Sequence, residues 1–152
     1  MAMKKHKGFT LIELLVVIAI IGLLSNLAVV ALSSARAKAR DAKRVADVKQ
    51  IQTALAMYYQ DNNGYPAAAT AVTLGDINNK TICGSSGFRA TCVAPEIVYM
   101  GNIPAAPTPP AGNAYIYTST DIARYTIAFT LENAIGNLAA GSNCANQDGI
   151  LS

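Results

Sequence analysis

The chain has 152 residues, of which 52% are hydrophobic and 14% charged, which is an unusually apolar composition for one soluble domain. The formal net charge is +3, and three lysines near the start account for the excess, since the remainder carries nine basic and nine acidic side chains. Overall charge therefore indicates no partner, and it excludes a protein attracted to nucleic acid by bulk charge alone.

The first predicted element is an apolar segment at residues 9–32, whose polar residues are Thr10, Glu13, Ser25 and Asn26. A helix needs about 20 mostly apolar residues to cross a hydrocarbon core about 30 Å thick. We therefore predict that 9–32 is a membrane-spanning half of a longer helix. A cleaved signal peptide has an apolar core of only about 7–15 residues, although the small residues at 31–37 offer a weak cleavage site.

Glu13 is the one ionisable residue of this segment. An ionised carboxylate at the centre of a bilayer costs about 3 kcal/mol on insertion scales, and less near an edge. A plain membrane anchor leaves this cost unexplained. Either Glu13 is protonated near the interface, or a cation compensates its charge.

The sequence Lys-Gly-Phe-Thr-Leu-Ile-Glu at residues 7–13 resembles the leader and mature start of bacterial type IV pilins and type II secretion major pseudopilins. The resemblance implies that residues 1–8 are a leader, that a prepilin peptidase cleaves between Gly8 and Phe9, and that the new Phe9 amine is N-methylated. Cleavage would place a cation four residues before Glu13. We expect Glu13 to pair with that amine on an adjacent subunit and so to guide assembly.

The resemblance also implies a topology and partners. The N-terminus would be cytoplasmic and the head outside, in a single-pass protein that leaves the lipid bilayer for a homo-oligomeric helical filament. A membrane assembly platform and its ATPase would drive that step. The positive-inside rule alone favours the opposite orientation, because three basic residues precede the apolar segment and six follow it within residues 36–49. We give precedence to the resemblance.

Helical periodicity continues beyond the apolar segment. Apolar residues recur at spacings of three and four, which predicts one buried stripe of a helix spanning 9–61: Val45, Val48, Ile51, Leu55 and Tyr58. Asn62, Asn63 and Gly64 indicate its end, with Pro66 just beyond. This amphipathic second half needs a sheet to cover its stripe.

The six basic residues at 36–49 favour, as an alternative, a DNA-uptake pilin that binds DNA through this segment. Acidic residues alternate with them, however: Lys38, Asp41, Arg44 and Asp47 follow one another at spacings of three. Such spacing brings opposite charges together on a helix surface and is typical of a solvated or subunit-facing helix. No aromatic residues are interleaved to stack on bases, which also disfavours nucleic acid.

Residues 62–152 form a predicted globular head with three or four strands, at Ile97–Gly101, Ala114–Thr118 and Arg124–Glu132. In the last of these, alternate residues are apolar, which predicts a half-buried antiparallel strand whose inner face carries Tyr125, Ile127, Phe129 and Leu131. The prolines of residues 103–113 predict a loop. The fold class is therefore α+β, a long helix packed on a small antiparallel sheet, and the resemblance implies the same pilin fold.

The three cysteines leave one unpaired, and we favour a disulfide between Cys83 and Cys92, although Cys144 is an alternative partner for either. We expect no metal or other cofactor. The chain has no CxxC, and its one histidine, His6, lies in the leader. Asn143, Asn146, Gln147 and Asp148 would offer calcium a set of oxygen ligands with a single charge.

Catalysis is disfavoured as well, since residues 9–152 lack histidine and no phosphate-binding glycine motif occurs. The sequence indicates a structural subunit that polymerises into a type IV pilus or a type II secretion pseudopilus. The alternatives left open are the DNA-uptake pilin and a monomeric membrane-anchored protein, for which Glu13 would be dispensable.

Overall fold

The computed structural model describes residues 8–110 and 112–152, so most of the predicted leader lies outside the described residues. The predicted long helix is confirmed: helix α1 runs from Leu11 to Asn62. The chain divides into two units, one ending at Arg36 and the other beginning at Ala37. At the end of α1, Asn63 takes a left-handed conformation (φ 51°), which is the usual way to stop a helix.

The first unit contains the apolar half of α1, and none of its side chains from position 8 to 36 is buried. An 18-residue window of the helix reaches a mean hydropathy of 2.8, so its length and composition suffice to cross a membrane. The hydroxyl of Ser25 donates to the carbonyl of Ile21 at 2.7 Å, which pairs this polar group inside the helix. Such pairing makes a serine tolerable among lipid-facing residues.

The second unit contains the rest of α1 and two antiparallel sheets. The larger sheet has the strand order β1-β5-β6-β7-β8, and the smaller has the order β3-β2-β4. The strands are β1 Ala68–Leu74, β2 Thr81–Cys83, β3 Gly87–Arg89, β4 Val98–Met100, β5 Tyr115–Asp121, β6 Arg124–Leu131, β7 Gly141–Asn146 and β8 Gly149–Leu151.

One core joins the helix stripe to the large sheet. Four of the five predicted stripe residues are buried and Val45 is half-buried. The predicted inner face of β6 is confirmed, because its four alternate residues are all buried. Burying an apolar side chain of this size stabilises the folded state by about 1.5–3 kcal/mol. The core residues supplied by the helix, β5 and β6 include Val48, Ile51, Leu55, Tyr58, Tyr115, Tyr117, Tyr125, Ile127, Phe129 and Leu131.

The prediction of three or four strands was too low, because the described residues form eight. Strand β1 is rich in alanine and threonine and shows no alternation, while β7 reads Gly-Ser-Asn-Cys-Ala-Asn. Both strands form beside neighbours with strong strand patterns: β1 pairs with β5, and β7 with β6. Strand formation here follows from cross-strand pairing rather than from local propensity.

Candidate assembly site at the start of the helix

The first turn of α1 is closed by a reciprocal pair of side chains, Thr10 and Glu13. The backbone N–H and the hydroxyl of Thr10 donate to one carboxylate oxygen of Glu13, at 2.9 and 2.7 Å. The backbone N–H of Glu13 in turn donates to the Thr10 hydroxyl at 3.3 Å. Because α1 begins at Leu11, Thr10 is the N-cap and Glu13 the third helical residue. This arrangement is a capping box, which satisfies two amides that a helix start leaves unpaired.

Thr10 is the residue of this site that the sequence prediction missed. The prediction paired Glu13 with an amine at Phe9, whereas in the intact chain the carboxylate contacts Thr10. The pattern Thr-x-x-Glu before an apolar run is the known sequence signature of a capping box and would have identified it. Glu13 therefore has an intramolecular partner before any cleavage.

The Gly8–Phe9 peptide bond lies in the open, immediately before this turn. Both residues are exposed, Phe9 by 76%. A Cβ atom built on Gly8 would meet no atom of residues 8–110 or 112–152 within 4 Å, so packing among these residues does not require a glycine there. A requirement for glycine would have to come from a protein that binds this segment.

A second polar cluster lies in the head, where α1 meets the end of β6. Arg44 and Asp41 are completely buried and form an ion pair at 2.5 Å. Arg44 also contacts a Glu132 carboxylate oxygen at 2.9 Å, and Arg40 makes a two-point contact with Glu132 at 2.6 and 2.7 Å. Asp41 additionally accepts the backbone N–H groups of Glu132 and Asn133, each at 2.8 Å.

The prediction of a solvated charged helix is therefore wrong at these positions. Asp41, Arg44 and Asp47 are buried inside the head because partners far along the chain pair with them. Asp47 accepts a hydrogen bond from the hydroxyl of Tyr115 at 2.9 Å, and burial together with this bond raises the pKa of Tyr115. Reversing the charge of Arg44 would unfold the head, so it cannot test the DNA-uptake alternative. Exposed Lys38 and Lys49 are the residues to change.

Arg44 also supports the predicted proline-rich loop between β4 and β5. Its second terminal nitrogen donates to the carbonyl of Pro107 at 2.7 Å and to the carbonyl of Pro109. Prolines have no N–H with which to join a sheet, and the carbonyls beside them still need donors. The guanidinium supplies these donors and fastens the loop to the helix.

The ion-pair cluster makes the stability of the head depend on pH. Hydrogen bonding from Arg40, with a further contribution from Arg44, lowers the pKa of Glu132 from its ordinary value of 4.5 to about 2 against the opposing effect of burial. Burial works against ionisation of Asp41 too, but the bonds from the amides of Glu132 and Asn133 and from Arg44 outweigh it and lower its pKa. Both carboxyls bind protons less readily in the folded protein than in the unfolded chain.

Stability from Glu132 should therefore be complete above about pH 4.5 and be lost as the pH falls towards about 2. We expect the thermal midpoint of the full-length protein in detergent to decline through this window. In Glu132→Gln the starting midpoint should be lower and the decline shallower. An equally steep decline in the variant would contradict the assignment to Glu132.

Cys83 and Cys92 are joined by a disulfide, with their Cα atoms 5.4 Å apart. The bond closes the loop between β2 and the segment before β4. Cys144 is a free thiol on β7, half-buried. Disulfides persist in oxidising compartments and are rare in the cytoplasm.

Within residues 8–110 and 112–152, no group of three or more histidine, cysteine, aspartate or glutamate side chains is placed to hold a metal ion. Of the four oxygen-bearing residues near the C-terminus, Asn146 accepts the backbone N–H groups of Asp148 and Gly149 in the β7–β8 turn. The side-chain oxygen of Asn146 therefore stabilises the β7–β8 turn.

Comparison with known proteins identifies the family. Residues 3–25 match the family model described as the prokaryotic N-terminal methylation motif. The type II secretion system core protein G of Escherichia coli is 33% identical over 122 residues, which cover 76% of this chain and 73% of that protein. This chain belongs to the major pseudopilin family. Its members are structural subunits, and the α+β architecture described above is that of a pilin.

Other relatives match over shorter stretches of the chain. The core protein G of Aeromonas hydrophila is 44% identical over 66 residues, and that of Pectobacterium carotovorum is 44% identical over 63. These matches cover 46% and 40% of the respective relatives, so less than half of their length is compared. No solved structure matches the chain significantly.

Proposed function

We propose that this pseudopilin is made as a precursor, cleaved between Gly8 and Phe9, N-methylated on Phe9, and polymerised into the pseudopilus of a type II secretion system. The observation that carries the proposal is a carboxylate, Glu13, at the first turn of an exposed apolar helix within the methylation motif. The described donors to this carboxylate are neutral, and cleavage would create a cation that can compensate its charge.

The capping box suggests how the partner is acquired. Among the described residues, the Glu13 carboxylate accepts hydrogen bonds from the neutral donors of Thr10 alone. After cleavage, the Phe9 amine is a cation, and two unit charges about 4 Å apart attract by about 4 kcal/mol at an effective dielectric constant of 20. An amine from a neighbouring copy would replace the Thr10 donors at Glu13. The ion pair would thus fix the axial position of one subunit against the next.

The same proposal assigns each part of the chain to a compartment. The bilayer would cover residues 9–32 before assembly, with the N-terminus in the cytoplasm, where the prepilin peptidase acts. The head would lie outside, and the Cys83–Cys92 disulfide supports that side because cytoplasmic thiols are kept reduced. A membrane assembly platform with an ATPase would extract the helix, after which helices of other copies would cover its apolar surface.

The N-terminus of protein extracted from membranes tests the processing step. We expect the mature chain to begin at Phe9, with the mass of one added methyl group. In Gly8→Leu, where the added Cβ atom would meet none of the described atoms within 4 Å, the precursor should accumulate uncleaved. A start near Ala37 would instead indicate an ordinary signal peptide, and a reporter fused at Ser152 that proves cytoplasmic would overturn the topology.

A further inference from the structure

One face of α1 within the head is left uncovered by the described part of the chain. A row of exposed residues follows this face at spacings of three and four, the period of a helix. The opposite face, with Val48, Ile51 and Leu55, is the buried stripe. The members of the exposed row are Lys43, Ala46, Gln50, Thr53, Met57 and Asp61.

The two ends of this row carry opposite charges. Asp61 follows Lys43 by 18 residues, which is five full helical turns, so the two side chains leave the helix in the same direction about 27 Å apart. Among the described residues, Lys43 has no ion-pair partner. The carboxylate of Asp61 accepts a hydrogen bond from the Tyr99 hydroxyl at 2.8 Å through one oxygen and is otherwise exposed.

The negative end of the row adjoins an open apolar groove of about 390 Å³. Three apolar side chains in its lining, Met57, Ile97 and Val98, are each at least half exposed. A groove with apolar walls and a carboxylate at its rim suits a lysine, whose aliphatic stem covers apolar surface while its ammonium group stays at a polar edge. The full lining is Met57, Gln60, Asp61, Ile97, Val98 and Tyr99.

We propose that this groove binds Lys43 of a second copy of this chain, with its ammonium group on Asp61. The inference rests on the proposed function, in which all copies are anchored in one membrane and are therefore parallel. Parallel copies without an axial shift would place Lys43 against Lys43, which is repulsive. Because both side chains lie on one face, the second copy must turn this face towards the first, and a shift of about 27 Å then brings Lys43 of one copy level with Asp61 of the next.

Antiparallel copies would also pair these charges, and twice over, but they would have to enter the membrane from opposite sides. The shifted parallel contact joins different surfaces of the two copies. A contact of that kind leaves a free donor at one end and a free acceptor at the other, and so propagates into an open polymer rather than a closed dimer. The Lys43–Asp61 contact would therefore fix the axial position of neighbouring subunits at a second point, in addition to the contact proposed at Glu13.

Charge reversal tests the contact. We expect Lys43→Glu and Asp61→Lys each to reduce the yield of sheared filaments about tenfold, because an attractive pair becomes a repulsive one at every subunit. The double variant should recover most of the yield, since it restores the pair with its signs exchanged. Lys49→Glu is the matched control: it makes the same change at an exposed helix position in a different direction, and should leave the yield unchanged.

A cross-link tests proximity independently. In a Cys144→Ala background, Lys43→Cys combined with Asp61→Cys should give a ladder of covalent multimers with a short bis-maleimide, whereas Lys49→Cys with Asp61→Cys should not. Normal filaments from both single reversals, or a double variant no better than the singles, would overturn the contact while leaving the proposed function intact. Absence of filaments from the unaltered protein in the same assay would instead overturn the proposed function.

Discussion

Replacing Glu13 by leucine is expected to abolish polymerisation while leaving the protein in the membrane. Leucine removes a carboxylate whose burial is costly, so membrane insertion should improve. The same change removes the one anion that a Phe9 amine could meet in the first turns of a neighbouring helix. Filaments counted by electron microscopy and the level of the protein in the membrane fraction together give the result.

Thr10→Ala separates the two roles of Glu13. This change deletes the capping box, which should weaken the helix start by about 1 kcal/mol, but it keeps the carboxylate. We expect filaments to persist in Thr10→Ala. Filaments of normal number and length from Glu13→Leu would show that the carboxylate has no part in assembly and would favour a monomeric anchored protein.

Replacing Arg44 by methionine is expected to destabilise the head by about 3–5 kcal/mol, because it leaves Asp41 buried without its cation. Methionine approximates the length of the side chain, so the loss reports the charge and its hydrogen bonds more than a cavity. The two loop carbonyls at Pro107 and Pro109 lose their donor as well. Denaturant unfolding of the full-length protein in detergent, followed by tyrosine circular dichroism, measures the change.

Two nearby substitutions serve as controls for Arg44→Met. Arg40→Met removes a partner of Glu132, but the Arg40 side chain is 25% exposed, so water can compensate and the loss should be much smaller than in Arg44→Met. Lys43→Met lies on the exposed face and should leave the free energy of unfolding unchanged. An effect of Arg44→Met no larger than that of Arg40→Met would mean that the buried cluster contributes little.

The sequence predicted the features that depend on local pattern. The helix stripe ending at Tyr58 and the alternation of β6 were both readable, because period 3.6 and period 2 report which face is covered. The leader motif was readable because its residues are contiguous. The capping role of Thr10 was equally predictable, because Thr-x-x-Glu before an apolar run is the sequence pattern of a capping box.

The burial of the charged residues on the helix could not be predicted from such a pattern. Asp41 and Arg44 stand three residues apart, a spacing that exposed helices also show. What buries them is a partner 88 residues beyond Arg44, Glu132, together with the amides that follow β6. Periodicity within one helix or strand carries no information about its contacts with residues far along the chain. The strands β1 and β7 were missed for the same reason, since their neighbours rather than their own residues define them.

The hydrogen bonds from Arg44 to the loop before β5 affect how far the sequence of this loop can vary among homologous proteins. The Arg44 guanidinium donates to two main-chain carbonyls of this loop and forms no hydrogen bond with any side chain that the structure describes there. Homologous heads could therefore exchange almost every residue of that loop, or present new surface chemistry on it, without redesigning the scaffold beneath. Only the arginine and the direction of two carbonyl groups would have to be kept, which makes the loop a natural place for related secretion machines to acquire different specificities.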